Sequence, residues 1–163
     1  MIEVVLDTET TGLSVAKGHR IVEFGCIELK NQIPTNKNFH CYLNPQRKVS
    51  EDAMKVHGYT DEFLSDKKKF SDVADDFLQF IQNKKLIIRN AEFDISHINN
   101  ELKLVGKQII SKDNVIDTLD IARENGNRIE NGKFMFIYQA NQSFSIWNNV
   151  IPKIDEAVLK ILE

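Results

Sequence analysis

The sequence contains little cysteine and no long apolar run. Its two cysteines, Cys26 and Cys41, lack the spacing of a metal-binding motif, which favours buried reduced thiols over a disulfide or a zinc site. No apolar stretch approaches the length that spans a membrane, and the first residues lack the basic and apolar segments of a signal peptide. These absences predict a cytoplasmic protein without membrane association.

A strong excess of one charge is also missing. The 163 residues include 21 Lys and Arg against 24 Asp and Glu, for a net charge of −3, which argues against coating nucleic acid through bulk electrostatics. Local basic contacts remain open, although a solvated surface is the favoured interpretation of each basic cluster. The clusters are Arg47-Lys48, Lys67-Lys68-Lys69 and Lys84-Lys85. Length and composition predict a single domain over residues 1–163.

An apolar strand near the start of the chain carries two acidic residues where it ends. Side chains alternate along a strand, so Asp7 and Glu9 are expected on one face and Thr8 on the other. Two carboxylates that close repel each other, and one takes up a proton unless a cation lies between them. Oxygen ligands of this kind suit Mg²⁺ or Mn²⁺. An isolated Asp-x-Glu triplet, by itself, is also common on solvated surfaces.

The order of the predicted elements indicates the fold class. Three strands joined by short polar connections come first, and helices then alternate with short apolar strands. This order predicts an α/β fold with a mixed sheet, three antiparallel strands followed by parallel ones, flanked by helices. Asp94 falls where the apolar strand 86–88 gives way to a helix, at the sheet edge expected for Asp7 and Glu9. The predicted strands are 4–9, 20–29, 38–43 and 86–88, and the predicted helices are 50–58, 60–64, 72–82 and 90–105. Residues 115–119 repeat the change from strand to helix, with a helix that continues through Arg123.

Several stretches resemble a known family. The string from Asp7 to Leu13, Asp-Thr-Glu-Thr-Thr-Gly-Leu, resembles the first motif of the DEDD superfamily of 3′-5′ exonucleases. Residues 18–23, 56–64 and 90–95 resemble the epsilon proofreading family of bacterial DNA polymerase III. The resemblance implies a ribonuclease-H-like fold and hydrolysis of a phosphodiester at a DNA 3′ end with two Mg²⁺ or Mn²⁺ ions.

The resemblance also assigns site residues. It implies that Asp7, Glu9 and Asp94 are catalytic carboxylates that bind metal, and that Asp52 and His57 contact the terminal nucleotide. Each of the last two has a structural alternative, since Asp52 suits a helix N-terminus and His57 suits a hydrogen bond to the backbone. The substrate-binding set implied is Asp7, Thr8, Glu9, Asp52 and His57.

Residues 124–163 depart from the family pattern. The third motif of the family has a His that acts as the base and, five residues later, an Asp that acts as the fourth carboxylate, yet no His follows His97. Asp155 is the candidate for that carboxylate, with Val150 at the position of the His. Asp155 fits equally well as an acid in the first turn of a predicted helix. A second departure is Arg89, where the family usually has His.

Three other polar residues are expected to have structural roles. Asp117 lies in a family-like string but suits a helix cap. His40 and His97 lie outside the family pattern, in a predicted strand and a predicted helix, and are expected to be packing or surface residues.

Three functions stay open. The first is a DNA-proofreading exonuclease that binds a DNA 3′ end, with the polymerase III alpha subunit as a candidate partner and no nucleotide cofactor. The second is an RNA 3′ exonuclease of the same superfamily. The third is a catalytically impaired homologue that binds strand ends or a polymerase. The missing His favours the third, whereas the intact Asp7, Glu9 and Asp94 favour the first.

Overall fold

The computed structural model describes residues 2–126. The chain divides into two compact units, Met1–Ile121 and Ala122–Glu163, and the first unit contains every strand of the sheet. The predictions for Val150 and Asp155 lie outside the described residues.

Within the described residues the sheet has five strands, in the order β3-β2-β1-β4-β5. The strands β1, β2 and β3 form an antiparallel meander, and β4 and β5 continue the sheet parallel to β1. The mixed sheet expected from the sequence is thereby confirmed. The strands are β1 (Ile2–Thr10), β2 (Ile21–Lys30), β3 (Ile33–Tyr42), β4 (Lys85–Ile88) and β5 (Val115–Asp117).

Helices fill the connections that follow the meander. They are α1 (Glu51–His57), α2 (Asp61–Ser65), α3 (Phe70–Ile81), α4 (Ala91–Leu104) and α5 (Thr118–Glu124). Single 3-10 turns occupy Val15–Lys17 and Lys112–Asn114. Within residues 2–126 none of the helices has the length and apolar character needed to cross a membrane.

Two of the element boundaries that differ from the sequence prediction have a clear physical reason. β3 begins at Ile33 rather than Asn38 and contains Pro34, which is tolerated because β3 is an edge strand and its outer side needs no ladder hydrogen bonds. α3 begins at Phe70 rather than Asp72. Ser71, which precedes the predicted start and is a typical capping residue, therefore lies inside the helix. At the true start the Asp72 carboxylate accepts a hydrogen bond from the backbone N–H of Lys69 at 2.9 Å.

One face of the sheet forms the core. Even-numbered residues of β1, such as Val4 and Leu6, are buried with apolar residues of the neighbouring strands and of α3 and α4. Asp7 and Glu9 therefore project from the opposite face, as the alternation predicts. The core residues that are at most 2% exposed include Val4, Leu6, Phe24, Cys26, Phe77, Leu86, Ile88, Ile98 and Leu102.

Both cysteines are free thiols, as expected. Cys26 is buried and Cys41 is half-buried. Burial raises the pKa of Cys26 to about 12 and that of Cys41 to about 11, so neither is a reactive thiolate at neutral pH.

Candidate active site

Among residues 2–126, the end of β1 has a neighbouring strand on one side only. β2 pairs with β1 as far as Thr10, whereas the pairing between β4 and β1 ends at Val5. The chain leaves β4 at Ile88 and enters α4 three residues later. The first turn of α4 therefore lies on the side of β1 where the pairing with β4 has ended. Asp94 lies in that turn and is only 3% exposed.

A hydrogen bond ties this helix to the acidic strand. The Thr8 hydroxyl donates to Oδ1 of Asp94 at 2.7 Å. Thr8 lies between Asp7 and Glu9 in sequence and points to the buried side. Three predicted carboxylates thus gather around one segment of β1, although Asp94 meets the strand through Thr8.

The carboxylates influence one another electrostatically. Burial, followed by the charges of Asp7, Glu23 and Asp94, raises the pKa of Glu9. Burial also raises the pKa of Asp7, and the nearby Glu23 adds to this while the Thr8 backbone hydrogen bond and the Arg89 charge oppose it. Negative charge is therefore in excess at this edge.

Asp94 is the most strongly affected of the three. Burial raises its pKa to about 6, with a further contribution from the Asp7 charge, and the hydrogen bond from Thr8 opposes the change. Among residues 2–126 no three Asp, Glu, His or Cys side chains are close enough together to hold one metal ion. The donor set itself, carboxylate oxygens of which only those of Asp94 are buried, fits a hard divalent cation.

Asp117 positions the helix that carries Asp94. Its carboxylate accepts hydrogen bonds from the backbone N–H groups of Asn90 at 2.9 Å and Ala91 at 2.7 Å, and from that of Leu119 in the first turn of α5 at 2.9 Å. Although burial opposes it, these backbone donors lower the pKa of Asp117. The predicted capping role is confirmed. Asp117 also contacts the start of α4, 26 residues earlier in the chain, and no sequence pattern near Asp117 predicts that contact.

A cavity of about 520 Å³ opens next to Glu9. Its walls come from the turn after β1, the 3-10 turn, α1 and the first turn of α4. The structure therefore brings Glu9, Asp52 and His57 to one cavity, as a substrate pocket requires. The lining residues are Glu9, Thr10, Gly12, Leu13, Ser14, Lys17, His19, Ser50, Asp52, Ala53, Val56, His57 and Phe93. A larger cavity, of about 780 Å³, lies near the start of β4 and contains none of the predicted site residues.

His57 has the structural role that was given as its alternative, because both of its ring nitrogens are hydrogen-bonded to the backbone. Its Nδ1 accepts from the Tyr59 backbone N–H at 3.0 Å, so Nε2 carries the proton and donates to the Thr10 carbonyl at 3.2 Å. Burial lowers the pKa of His57, which favours this neutral form. With both nitrogens engaged, His57 offers the cavity its ring rather than a free hydrogen-bonding atom. The carboxylate of Asp52 is 98% exposed and lies 3.6 Å from the Lys55 ammonium.

Two residues that sequence reasoning missed hold this ring in place. Tyr59 stacks on His57 with ring centroids 4.7 Å apart, and its hydroxyl donates to Oε2 of Glu23 at 2.6 Å. Glu23 lies opposite Glu9 in the β1–β2 register. The alternation along β2 is the only sequence signal for Glu23, because it places this residue on the same face as Glu9.

His19 forms a second aromatic wall. The Thr11 hydroxyl accepts from the Arg20 backbone N–H at 3.0 Å and so donates to Nδ1 of His19, also at 3.0 Å. The ring then lies directly over Gly12, where an added Cβ would come within 2.4 Å of Cε1. Glycine is required at position 12 for this close approach.

The other two histidines are structural, as predicted. His97 is 1% exposed and donates from Nδ1 to the Phe93 carbonyl at 2.9 Å. His40 lies on the exposed face of β3 with Nε2 2.6 Å from Oε1 of Glu23.

Solved structures confirm the fold. The crystal structure of Escherichia coli Exonuclease I in complex with a dT13 oligonucleotide aligns with a TM-score of 0.68 and 18% identity, over 76% of this chain and 29% of that chain. The zinc-bound form of the same enzyme with single-stranded DNA aligns equally well. The order of the strands and these alignments show a ribonuclease-H-like fold.

A family model described as "Exonuclease" matches residues 4–145, and the chain belongs to this exonuclease family. Members of the family generally use divalent metal ions. The DNA polymerase III subunit epsilon of Rickettsia felis is 52% identical over 124 residues, and that of Escherichia coli is 45% identical over 130 residues. These alignments cover 74% and 75% of this chain but only 54% and 53% of the relatives, so the chain spans about half their length.

Proposed function

We propose that this protein is a 3′-5′ exonuclease that removes nucleotides from DNA 3′ ends as the proofreading subunit of a replicative DNA polymerase. The proposal depends on one observation: a hydrogen bond from Thr8 holds Asp94 at the acidic end of β1. This end of the strand lies next to the cavity that Glu9 and His57 line. Similarity to the epsilon subunits supports the choice of DNA over RNA. We further propose a single exonuclease domain over residues 1–163, acting in the cytoplasm.

Asp7, Glu9 and Asp94 would hold the metal, with Asp155 as a fourth carboxylate from the part of the chain outside the described residues. Two Mg²⁺ or Mn²⁺ ions supply activation of water and stabilisation of the leaving 3′ oxygen. Thr8 positions Asp94 through its hydroxyl. The concentrated negative charge at this edge of the sheet would attract divalent cations. Until those cations bind, the same charge would repel the phosphate of the substrate.

The cavity next to Glu9 would hold the terminal nucleotide. The ring of His57, fixed by Thr10 and stacked on Tyr59, provides a rigid wall for a sugar or base. Asp52 lines the cavity, and its carboxylate is exposed to solvent. This carboxylate would approach the nucleotide from the open side of the cavity. Binding there would orient the last phosphodiester toward the carboxylates, which is the main requirement for its hydrolysis.

One observation favours the alternative of a strand-binding homologue with impaired catalysis. No His follows His97 in the sequence, and His97 itself is buried with Nδ1 engaged. A protein that has the metal carboxylates but not the base would bind a 3′ end and hydrolyse it slowly. The polymerase III alpha subunit remains the proposed partner in either case.

Digestion of 3′ ends tests the proposal directly. End-labelled single-stranded DNA and RNA of the same sequence would be incubated with Mg²⁺, Mn²⁺ or EDTA, and the products separated by size. We expect metal-dependent shortening of DNA from the 3′ end, abolished by Asp7→Ala and by Glu9→Ala. Faster shortening of RNA would change the substrate class, and digestion at the parental rate by either variant would refute the carboxylate assignment.

A further inference from the structure

Two basic residues from different loops meet beside the cavity. Arg47, in the loop between β3 and α1, donates from Nη1 to the backbone carbonyl of Lys17 at 3.1 Å. Gly18 allows this approach, because a Cβ at its left-handed backbone (φ +75°) would lie 3.2 Å from the same Nη1 atom. Lys17 lines the cavity that Glu9 also lines, and Lys48 follows Arg47 on the surface.

The loop that carries Arg47 is well anchored. Gln46 adopts a left-handed conformation (φ 54°), and its N–H donates to the Asn44 side chain at 2.8 Å, which closes a tight turn. Further along, the Ser50 N–H donates to the Thr11 carbonyl at 3.1 Å, which joins this loop to the turn after β1. The guanidinium is thus held in position before any ligand arrives, which reduces the entropy cost of binding.

These cations have no anionic partner in the described part of the chain. Lys17, Arg47 and Lys48 are exposed, and no carboxylate among residues 2–126 is within ion-pair distance of them, whereas several other lysines are paired, such as Lys84 with Glu28 at 2.7 Å. The electrostatic field of Lys17 and Arg47 reaches His19 in the wall of the cavity. After burial, the charges of Arg47, His97 and Lys17, in that order, lower the pKa of His19.

We propose that Lys17, Arg47 and Lys48, here termed the cationic rim, bind the phosphate backbone of a single strand outside the cavity, upstream of the nucleotide being removed. The protein has a net charge of −3, so a strand needs a local positive surface near the carboxylates to stay bound. This inference rests on the proposed function, because it takes the cavity as the place of the terminal nucleotide. It adds the prediction that longer strands bind more tightly.

Binding at several strand lengths tests the cationic rim. A fluorescent thymidine dinucleotide and octanucleotide would be titrated in EDTA, so that nothing is cleaved, at salt concentrations from about 50 to 200 mM. We expect Arg47→Ala and Lys17→Ala each to raise Kd for the octanucleotide roughly two- to fivefold, as for a surface charge contact. The slope of log Kd against log salt should fall by about 0.7 for each phosphate that the variant no longer neutralises.

Two controls separate charge from fold. Arg47→Lys keeps the charge and should retain most of the salt dependence. Lys30→Ala removes an exposed lysine opposite Ile2, at the far end of the β1–β2 pair, and should leave Kd and slope at the parental values. Circular dichroism would establish that each variant is folded.

The outcomes are distinct. Unchanged octanucleotide binding in Arg47→Ala and Lys17→Ala would overturn the proposal and leave an acidic protein partner as the occupant of the cationic rim. Equal weakening for the dinucleotide and the octanucleotide would also overturn it, because the cations would then act on the terminal nucleotide. Hydrolysis with Mn²⁺ is measured separately. Length-dependent binding without cleavage would contradict the proposed exonuclease activity but would still support strand binding by the cationic rim.

Discussion

The hydroxyl of Thr8 donates to the carboxylate of Asp94 across 2.7 Å and so joins the middle of the acidic strand to the first turn of α4. The two residues are 86 positions apart in sequence. This bond holds Asp94 against the strand that carries Asp7 and Glu9. It also partly offsets the burial that raises the pKa of Asp94.

Asp94→Asn should stabilise the metal-free protein at neutral pH. The pKa of Asp94 is about 6 in the folded state against an ordinary value of 3.8, so the folded state holds a proton that the unfolded chain releases. The free energy of unfolding should therefore fall as pH rises from about 4 to about 6, by up to about 3 kcal/mol. The variant should lose this pH dependence in thermal unfolding measured with EDTA. Asp76→Asn, on the exposed side of α3, is the matched control and should keep it.

Asp117→Ala should destabilise the start of α4. The variant removes the acceptor for the N–H groups of Asn90, Ala91 and Leu119, and loss of a helix cap costs about 1 to 2 kcal/mol. Urea unfolding should show this loss, and 3′-end digestion should fall because Asp94 lies in the same turn. Asp117→Asn keeps one acceptor oxygen and should be intermediate. A fully stable alanine variant would contradict the capping role.

Gly12→Ala should destabilise the protein through His19. The added Cβ would come within 2.4 Å of the ring, and overpacking of this kind typically costs about 1 to 3 kcal/mol. Combining it with His19→Ala should recover part of the loss, since the second change removes the clash. Strictly additive free energies of unfolding in the double-mutant cycle would show that the ring and the glycine do not interact.

His57→Ala should raise KM for a single strand more than it lowers kcat. The neutral ring lines the cavity with both nitrogens bonded to the backbone, so it would hold the nucleotide equally in the ground state and the transition state. Steady-state kinetics on labelled single-stranded DNA measures both constants. Equal falls in kcat and kcat/KM would instead indicate an interaction made only in the transition state.

Val150→His tests the register of the third motif. General-base assistance contributes about 10² to 10⁴ in rate, so the parent protein should hydrolyse slowly and its pH profile should lack an inflection near the pKa of His. If Asp155 occupies the place of the family carboxylate, the variant should gain rate and that inflection. A parent enzyme with full speed and a bell-shaped profile would show that another residue supplies the base.

The sequence by itself determined those features that depend on neighbours along the chain. Alternation in β1 placed Asp7 and Glu9 on one face, and Ser50 and Gly58 bounded α1, with the Ser50 side chain accepting from Ala53 N–H and Gly58 at φ 80°. The order of elements determined the mixed sheet, because short polar connections make antiparallel neighbours and helical connections make parallel ones.

The tertiary structure alone decided which distant side chains meet. The bond from Thr8 to Asp94, the capping of α4 by Asp117 and the contact of Arg47 with Lys17 each join segments brought together by strand pairing and loop packing. No local periodicity encodes such contacts, since a side chain's direction repeats every two or 3.6 residues whereas its distant neighbour depends on how whole elements pack. The placement of β4 beside only the first half of β1 left room for α4, and that arrangement of the sheet brought Asp94 to the acidic strand.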